Sequence, residues 1–222
     1  MSRKFSRLPD HIGFIPDGNR RWAEQRGLHR REGYAAGIEP GLRLFEECRR
    51  LGIKEMTAYG FTQENTRRPK DQTAAYRAAC VDLAHGVLER GAALLALGDT
   101  RSALFPKELL PYAKKRQGDG PLKFNLLVNY GWNWDLQTAL RTVAHSPSAA
   151  RKPVMKLLAS ADVSRIDLIV RWGGRRRLSG FLPVQSVYAD FYVVDDYWPD
   201  YETAQFHAAL KWYAGQDITL GG

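Results

Sequence analysis

Three stretches of the chain collect groups that hold anions. The first is Pro16-Asp17-Gly18-Asn19-Arg20-Arg21-Trp22, which follows a short apolar segment. A glycine and an asparagine between a strand and a helix leave backbone N–H groups free. The start of the helix adds positive potential, so the junction suits a phosphate. Arg20 and Arg21 add charge-assisted hydrogen bonds. Asp17 is out of place beside a phosphate unless a divalent cation bridges the two anions. Mg²⁺ is typically held by one or two carboxylates plus substrate phosphates. The competing reading is a plain Asp-Gly-Asn turn with Asp17 as helix cap, and spacing alone favours it.

The second stretch is Phe61-Thr62-Gln63-Glu64-Asn65-Thr66-Arg67-Arg68-Pro69, where hydroxyl, amide and guanidinium groups gather after another apolar segment. By itself it reads as a polar helix-capping loop. The third is Arg171-Trp172-Gly173-Gly174-Arg175-Arg176-Arg177-Leu178-Ser179, with two glycines and four arginines in its first seven residues. That is a cradle for a polyanion, or else a solvated or nucleic-acid-binding patch. Two basic loops suggest two phosphate-bearing ligands. Other chemistries are missing: no dinucleotide or P-loop glycine pattern and no nucleophile elbow occurs. His11, His29, His85, His145 and His207 show no metal-ligand spacing. His11 reads as a structural strand residue.

The elements that must position these loops alternate in type. Strands are expected at His11–Ile15, Glu55–Phe61, Ala92–Leu97, Phe124–Tyr130, Ile166–Arg171 and Val187–Val194. Helices are expected at Ala35–Leu51, with Leu42, Leu44, Phe45 and Cys48 on one face, and at Thr73–Arg90, with apolar positions at Ala78, Leu83, Val87 and Leu88. Further helices are expected at Leu109–Arg116, Trp134–Ala144, Arg151–Ala161 and Tyr201–Ala214. Short continuous apolar strands between helices predict an α/β fold: a roughly six-stranded, mostly parallel sheet flanked by helices. Ligands then sit at the carboxyl ends of the strands, which is where all three stretches fall.

Composition bounds the rest. The 222 residues fit a single domain over 1–222. The chain is 44% apolar and 26% charged, which excludes a disordered chain, and two cysteines exclude a disulfide framework. No apolar run reaches the ~20 residues of a membrane span. The polar start at Met1–Asp10 is no signal peptide, so a cytoplasmic protein is expected. Net charge is +9, and 23 of the 33 basic residues are arginine, which asks for an anionic partner.

Together these residues resemble the cis-prenyltransferases, relatives of undecaprenyl diphosphate synthase. The resemblance runs from about His11 to Tyr201 in five ordered blocks: HIGFIPDGNRRWA, YGFTQENTRRP, FNLLVNYG, DLIVRWGGRRRLSGF and QSVYADFYVVDDYWPDY. It implies a parallel sheet with a hydrophobic cleft for a prenyl tail, usually in a homodimer. It also implies an allylic diphosphate and a second prenyl diphosphate bound with Mg²⁺, and no nucleic acid. By resemblance, Asp17 holds the metal and assists loss of the allylic diphosphate. Gly18, Asn19, Arg20, Arg21, Trp22 and Arg30 bind that diphosphate or adjoin it. Asn65 matches the asparagine assigned to proton removal, with Thr62, Glu64 and Arg68 beside it. Arg171, Arg177, Leu178 and Ser179 form the second cradle. Asp190 stands where the family has a metal-binding glutamate.

The departures bear on the product. Pro16 replaces a usual methionine, Tyr34 a histidine and Thr66 a tryptophan; Arg175 replaces a glutamate, Gly173 a serine and Trp132-Asn133 a Gly-Arg pair. Thr219-Leu220-Gly221 takes the place of a common C-terminal Arg-x-Gly. Nearly all the expected diphosphate ligands are kept, while the surroundings of the second substrate change. The stretch from Pro69 to Asp99 is short, and Phe124 and Trp132 add bulk, so a short product is expected. The pattern is similar to that of small members that join two dimethylallyl diphosphates head-to-middle and then close a ring. Tyr34, Trp132 and Trp134 would shield the cation, and Tyr34 or Asn65 would take the proton. The alternative is regular short-chain elongation with isopentenyl diphosphate.

Overall fold

A computed structural model describes residues 5–217; the Thr219-Leu220-Gly221 terminus lies outside them. Six strands form one sheet: β1 His11–Ile15, β2 Glu55–Tyr59, β3 Ala93–Leu97, β4 Lys123–Leu127, β5 Leu168–Arg171 and β6 Asp190–Val193. Their order is β3-β4-β2-β1-β5-β6, and every pairing is parallel. The helices are α1 Asn19–Gln25, α2 Glu32–Ala36, α3 Ile38–Leu51, α4 Lys70–Glu89, α5 Trp132–His145 and α6 Thr203–Ala214.

The sheet is buried on both faces, which explains why its central strands read as continuous apolar runs. On one face Ile12, Phe14, Met56, Leu94, Leu126 and Val170 pack against Phe45 and Cys48 of α3, Val87 of α4 and Phe206 and Leu210 of α6. On the other face Ile15, Tyr59, Leu97, Leu127 and Ile169 meet Phe181 and Tyr130. Gly13 is required there: a Cβ on it would lie 2.4 Å from the Phe181 ring.

Two expectations fail locally. Arg151–Ala161 is not a helix; the segment holds only 3-10 turns at Pro147–Arg151 and Val154–Lys156. Pro153 removes an N–H and forces Lys152 into an extended conformation, so no helix can pass through it. Leu109–Arg116 likewise shortens to a 3-10 turn at Lys107–Tyr112, with Pro111 inside it. On α4, Ala78 faces solvent, and Cys80, Ala84 and Val87 carry the buried stripe.

The topology places the site. After β1 the chain winds toward β2, and after β5 it winds toward β6. Between β1 and β5 the connections therefore diverge, and a crevice opens at the carboxyl ends.

Candidate active site

Ile15 and Arg171 are register partners at the ends of β1 and β5. Two residues beyond Ile15, the Asp17 carboxylate accepts a hydrogen bond from Arg171 Nη2 at 2.7 Å on Oδ2. Arg171 is only 4% exposed. Its Nη1 donates to Ser179 Oγ at 2.8 Å and to the Arg177 carbonyl. One buried guanidinium thus ties the loop after β1 to the loop after β5. The other carboxylate oxygen, Asp17 Oδ1, accepts the Gly18 N–H at 2.6 Å, with Arg21 Nη2 3.6 Å away. Arg21 donates to the Gly173 carbonyl at 2.9 Å. Gly173 sits at φ 84°, and a Cβ there would lie 3.0 Å from the Asp17 backbone, so the two loops meet only because this residue is glycine. Ser179 also has a positive φ, 55°, a strained conformation of the kind found at ligand clamps.

Two polar cavities border Asp17, and a third, apolar one lies beside them. The first has a volume of about 280 Å³ and is walled by Asp17, Gly18, Asn19, Tyr34 and the arginines 20, 21, 30, 68, 175 and 177. Six arginines face two carboxylates, Asp17 and Glu24, and Arg30 already pairs with Glu24 at 2.5 Å. Such an excess of cation calls for a multiply charged anion. The second cavity, about 570 Å³, shares Asp17, Arg20, Arg68 and Arg177 with the first and adds Thr62, Glu64, Asn65, Trp132, Arg171 and Ser179. Thr62 caps its turn, its N–H donating to Asn65 Oδ1 at 3.3 Å, which fixes the Asn65 amide against the backbone.

The third cavity is apolar and small, about 40 Å³, lined by Phe14, Ile38, Ala58, Leu83, Leu126 and Trp198 together with Tyr34 and Tyr76. Cys80 also borders it; burial pushes its thiol pKa up to about 12, so it stays an uncharged wall. Tyr34 is buried, its hydroxyl accepting a hydrogen bond from Arg68 Nη1 at 2.9 Å.

The residues at Asp17 fit a divalent cation in one way only. Among the described residues no three His, Cys, Asp or Glu side chains cluster as a metal cage. Asp17 is a single carboxylate, part-exposed and bordering both polar cavities. Its two oxygens offer about four acceptor sites, of which Gly18 and Arg171 take two. A cation held by one carboxylate and by substrate phosphates meets that description, as Mg²⁺ commonly does.

Several expected site residues lie elsewhere. Asp190 opens β6 opposite Leu168, at the amino end of the sheet, so within this chain it does not stand beside Asp17. Trp22 borders none of the three cavities; its Nε1 donates to Asp200 at 2.7 Å, which clamps α1 to the Trp198–Asp200 turn. Leu178, half-buried within the third stretch, packs against the core on that face of the sheet, and Trp134 stands edge-on to Tyr130 against the same cluster. Phe124 is in the core against Phe45, away from the apolar cavity. Arg175 lines the first cavity rather than the second. Residues that sequence reasoning missed are Tyr59, Gly60 and Tyr76. Tyr76 carried no signal beyond an aromatic on a helix, which reads as core.

A parallel α/β sheet with two arginine-walled cavities and an apolar one at its switch point has the form of a transferase for diphosphate esters. The family model described as "Putative undecaprenyl diphosphate synthase" matches residues 15–221, and the chain belongs to that family. An isoprenyl transferase of Heliobacterium mobile is 33% identical over 97% of this chain and 88% of its own. A ditrans,polycis-undecaprenyl-diphosphate synthase ((2E,6E)-farnesyl-diphosphate specific) of Shewanella oneidensis is 31% identical over 96% and 83%. The fold is also that of a lavandulyl diphosphate synthase from Lavandula x intermedia, solved with dimethylallyl diphosphate: TM-score 0.85, 24% identity, 96% of this chain and 98% of that one. The protein is a prenyltransferase of the cis-prenyl diphosphate synthase type. No helix among the described residues is long and apolar enough to cross a membrane.

Proposed function

We propose that the protein joins two molecules of dimethylallyl diphosphate head-to-middle and closes the product to cyclolavandulyl diphosphate. The observation that carries this reading is a contrast in size. Two arginine-walled cavities of about 280 and 570 Å³ meet at Asp17, while the apolar cavity beside them has only about 40 Å³. A single water needs roughly 10–15 Å³, so the apolar space suits a few carbon atoms and not a polyprenyl chain. The dimethylallyl diphosphate bound in the lavandulyl enzyme of the same fold supports a five-carbon donor.

In this reading the donor diphosphate lies in the first cavity against Arg20, Arg21, Arg30 and Arg68, at the start of α1 by Gly18 and Asn19. Its C1–O bond breaks and the electron pair leaves with the diphosphate. The double bond of the second molecule attacks C1. The resulting tertiary cation isomerises, closes the ring and loses a proton. Mg²⁺ held by Asp17 and the phosphates would neutralise charge on the leaving diphosphate. Arg177 and Ser179 face the second diphosphate, and Arg171 acts by holding their loop on Asp17. Trp132 borders the second cavity and Tyr34 the first, where aromatic rings favour a cation. Tyr34, Asn65 or the departing diphosphate takes the proton. The enzyme is expected to work as a cytoplasmic homodimer.

A second reading, regular short-chain elongation with isopentenyl diphosphate, is favoured by the curated relatives, whose names are those of isoprenyl transferases and undecaprenyl diphosphate synthases. One experiment separates the two. Purified protein, Mg²⁺ and dimethylallyl diphosphate alone should yield a branched or cyclic ten-carbon alcohol after dephosphorylation, identified by mass spectrometry. No product until isopentenyl diphosphate is added, and then a linear cis-prenyl alcohol, would establish elongation instead.

A further inference from the structure

Pro16 and Tyr76 border all three cavities. Tyr76 projects from α4, and its ring is held from several sides. It stacks on Tyr34 with centroids 4.4 Å apart and planes 8° from parallel. Phe61 meets it edge-on at 5.9 Å. The Arg68 guanidinium lies 5.6 Å from its centroid, and its hydroxyl donates to the Gly60 carbonyl at 3.0 Å. Burial raises the hydroxyl pKa, so the group stays a neutral donor. A ring held by stacking, edge contact and a hydrogen bond together cannot swing aside without losing all three.

We propose that Tyr76, stacked on Tyr34, is the residue that sets donor length: its ring is the partition confining the donor's tail to the small apolar cavity. This rests on the reading that the first cavity takes an allylic diphosphate. The chemistry follows from placement. The donor's charged end is fixed among the arginines of the first cavity, and its tail leaves through the boundary with the apolar cavity, which Tyr34 and Tyr76 share. A longer tail would need the volume of the phenol ring. Replacing Tyr76 with a small residue merges the apolar cavity with the second cavity and frees about the bulk of one isoprene unit.

The test is binding, not turnover. Dimethylallyl and geranyl S-thiolodiphosphates do not ionise readily, and their Kd values can be measured by calorimetry on the full chain. The wild type should favour the five-carbon analogue. Tyr76→Ala should shift the ratio of the two Kd values toward the ten-carbon analogue by about tenfold or more, the scale on which extra methylenes are sorted by an apolar pocket. Tyr76→Phe keeps the ring and should leave the ratio within about threefold of wild type. If Tyr76→Ala does not fold, Tyr76→Leu, which keeps apolar bulk but no ring, should show the same shift to a smaller extent. A folded Ala or Leu variant with the wild-type ratio would overturn the proposal, as would a Phe variant that shifts as far as Ala. The ratio is independent of the second substrate, so a failure of head-to-middle coupling leaves it readable. If neither analogue binds to the wild type, the substrate reading fails with it, and the proposal falls too.

Discussion

At the amino ends of the strands, Glu55 on β2 and Arg116 share the side chain of Asn125 on β4. Asn125 Nδ2 donates to Glu55 Oε1 at 2.7 Å, and Arg116 Nη2 donates to Asn125 Oδ1 at 2.6 Å. His11 Nε2 lies 2.8 Å from Thr57 Oγ1, and His11 Nδ1 reaches the Ser164 and Arg165 carbonyls. One carboxylate balances one guanidinium, and an amide links them. At the carboxyl ends, six arginines line one cavity with two carboxylates. Asp17 is taken by Arg171 and Glu24 by Arg30, while Arg21 and Arg68 donate only to neutral oxygens, the Gly173 carbonyl and the Tyr34 hydroxyl, so positive charge is in excess along the cavity wall. Both clusters are polar and both cross several strands. Partners inside the protein make the lower cluster a structural lock. The excess of arginine over carboxylate suits the upper one to an anionic ligand, because uncompensated cations are tolerated only where a ligand or water can reach them.

The comparison is broken most directly at Asp17. Asp17→Asn keeps an acceptor for Arg171 but removes the charge that orients and neutralises the diphosphate. We expect kcat to fall by about 10³-fold or more, with a melting temperature close to wild type. A kcat within tenfold of wild type would remove Asp17 from the chemistry. The mirror experiment is Asn125→Leu, which removes the amide that bridges Glu55 and Arg116 and leaves each with its remaining backbone partners. Denaturant unfolding should show a loss of about 1–3 kcal/mol, while the kinetic constants of the folded fraction stay near wild type. Equal damage to both ends would mean that the two clusters are one unit.

A smaller effect is expected at Arg177, whose side chain borders both polar cavities. Arg177→Ala should raise KM for each substrate by about 10–100-fold, read by titrating each in turn. The smallest effect concerns pH. Burial holds the His11 pKa below its ordinary value, against the pull of Glu55. Below about pH 6.5 the unfolded chain takes up a proton that the folded chain resists, so stability falls as pH drops through that window. The melting temperature should therefore decrease from pH 7.5 to 5.5, and His11→Gln should flatten that slope.

All six strands were legible because each is a short apolar run cut off by glycine, proline or a polar loop. β1 matches its expected bounds, and the others differ by a few residues at their ends. The arginines of the three loops were legible for the same reason, since they directly follow those runs. Arg151–Ala161 misled because its apolar residues suit a helix and Pro153 forbids one. The family pattern marks Asp190 without saying which end of the strand it occupies. Register answers that: Asp190 pairs with Leu168, while Val193 is the residue that pairs with Arg171.

By itself the sequence determined the alternation of strands and helices, the doubly covered sheet and the loops in which anion-binding groups would lie. Those properties depend on residues within a few positions of each other, through periodicity, caps and turn chemistry. Tertiary structure alone decided that β5 lies beside β1, so that Arg171 reaches Asp17 from 154 residues away. It also decided that Arg175 faces the first cavity, that Trp22 and Leu178 turn away, and that Tyr76 stands among three spaces. A cavity is the space left between elements distant in the chain. Its walls and volume follow from how those elements pack, and no local pattern of residues encodes them.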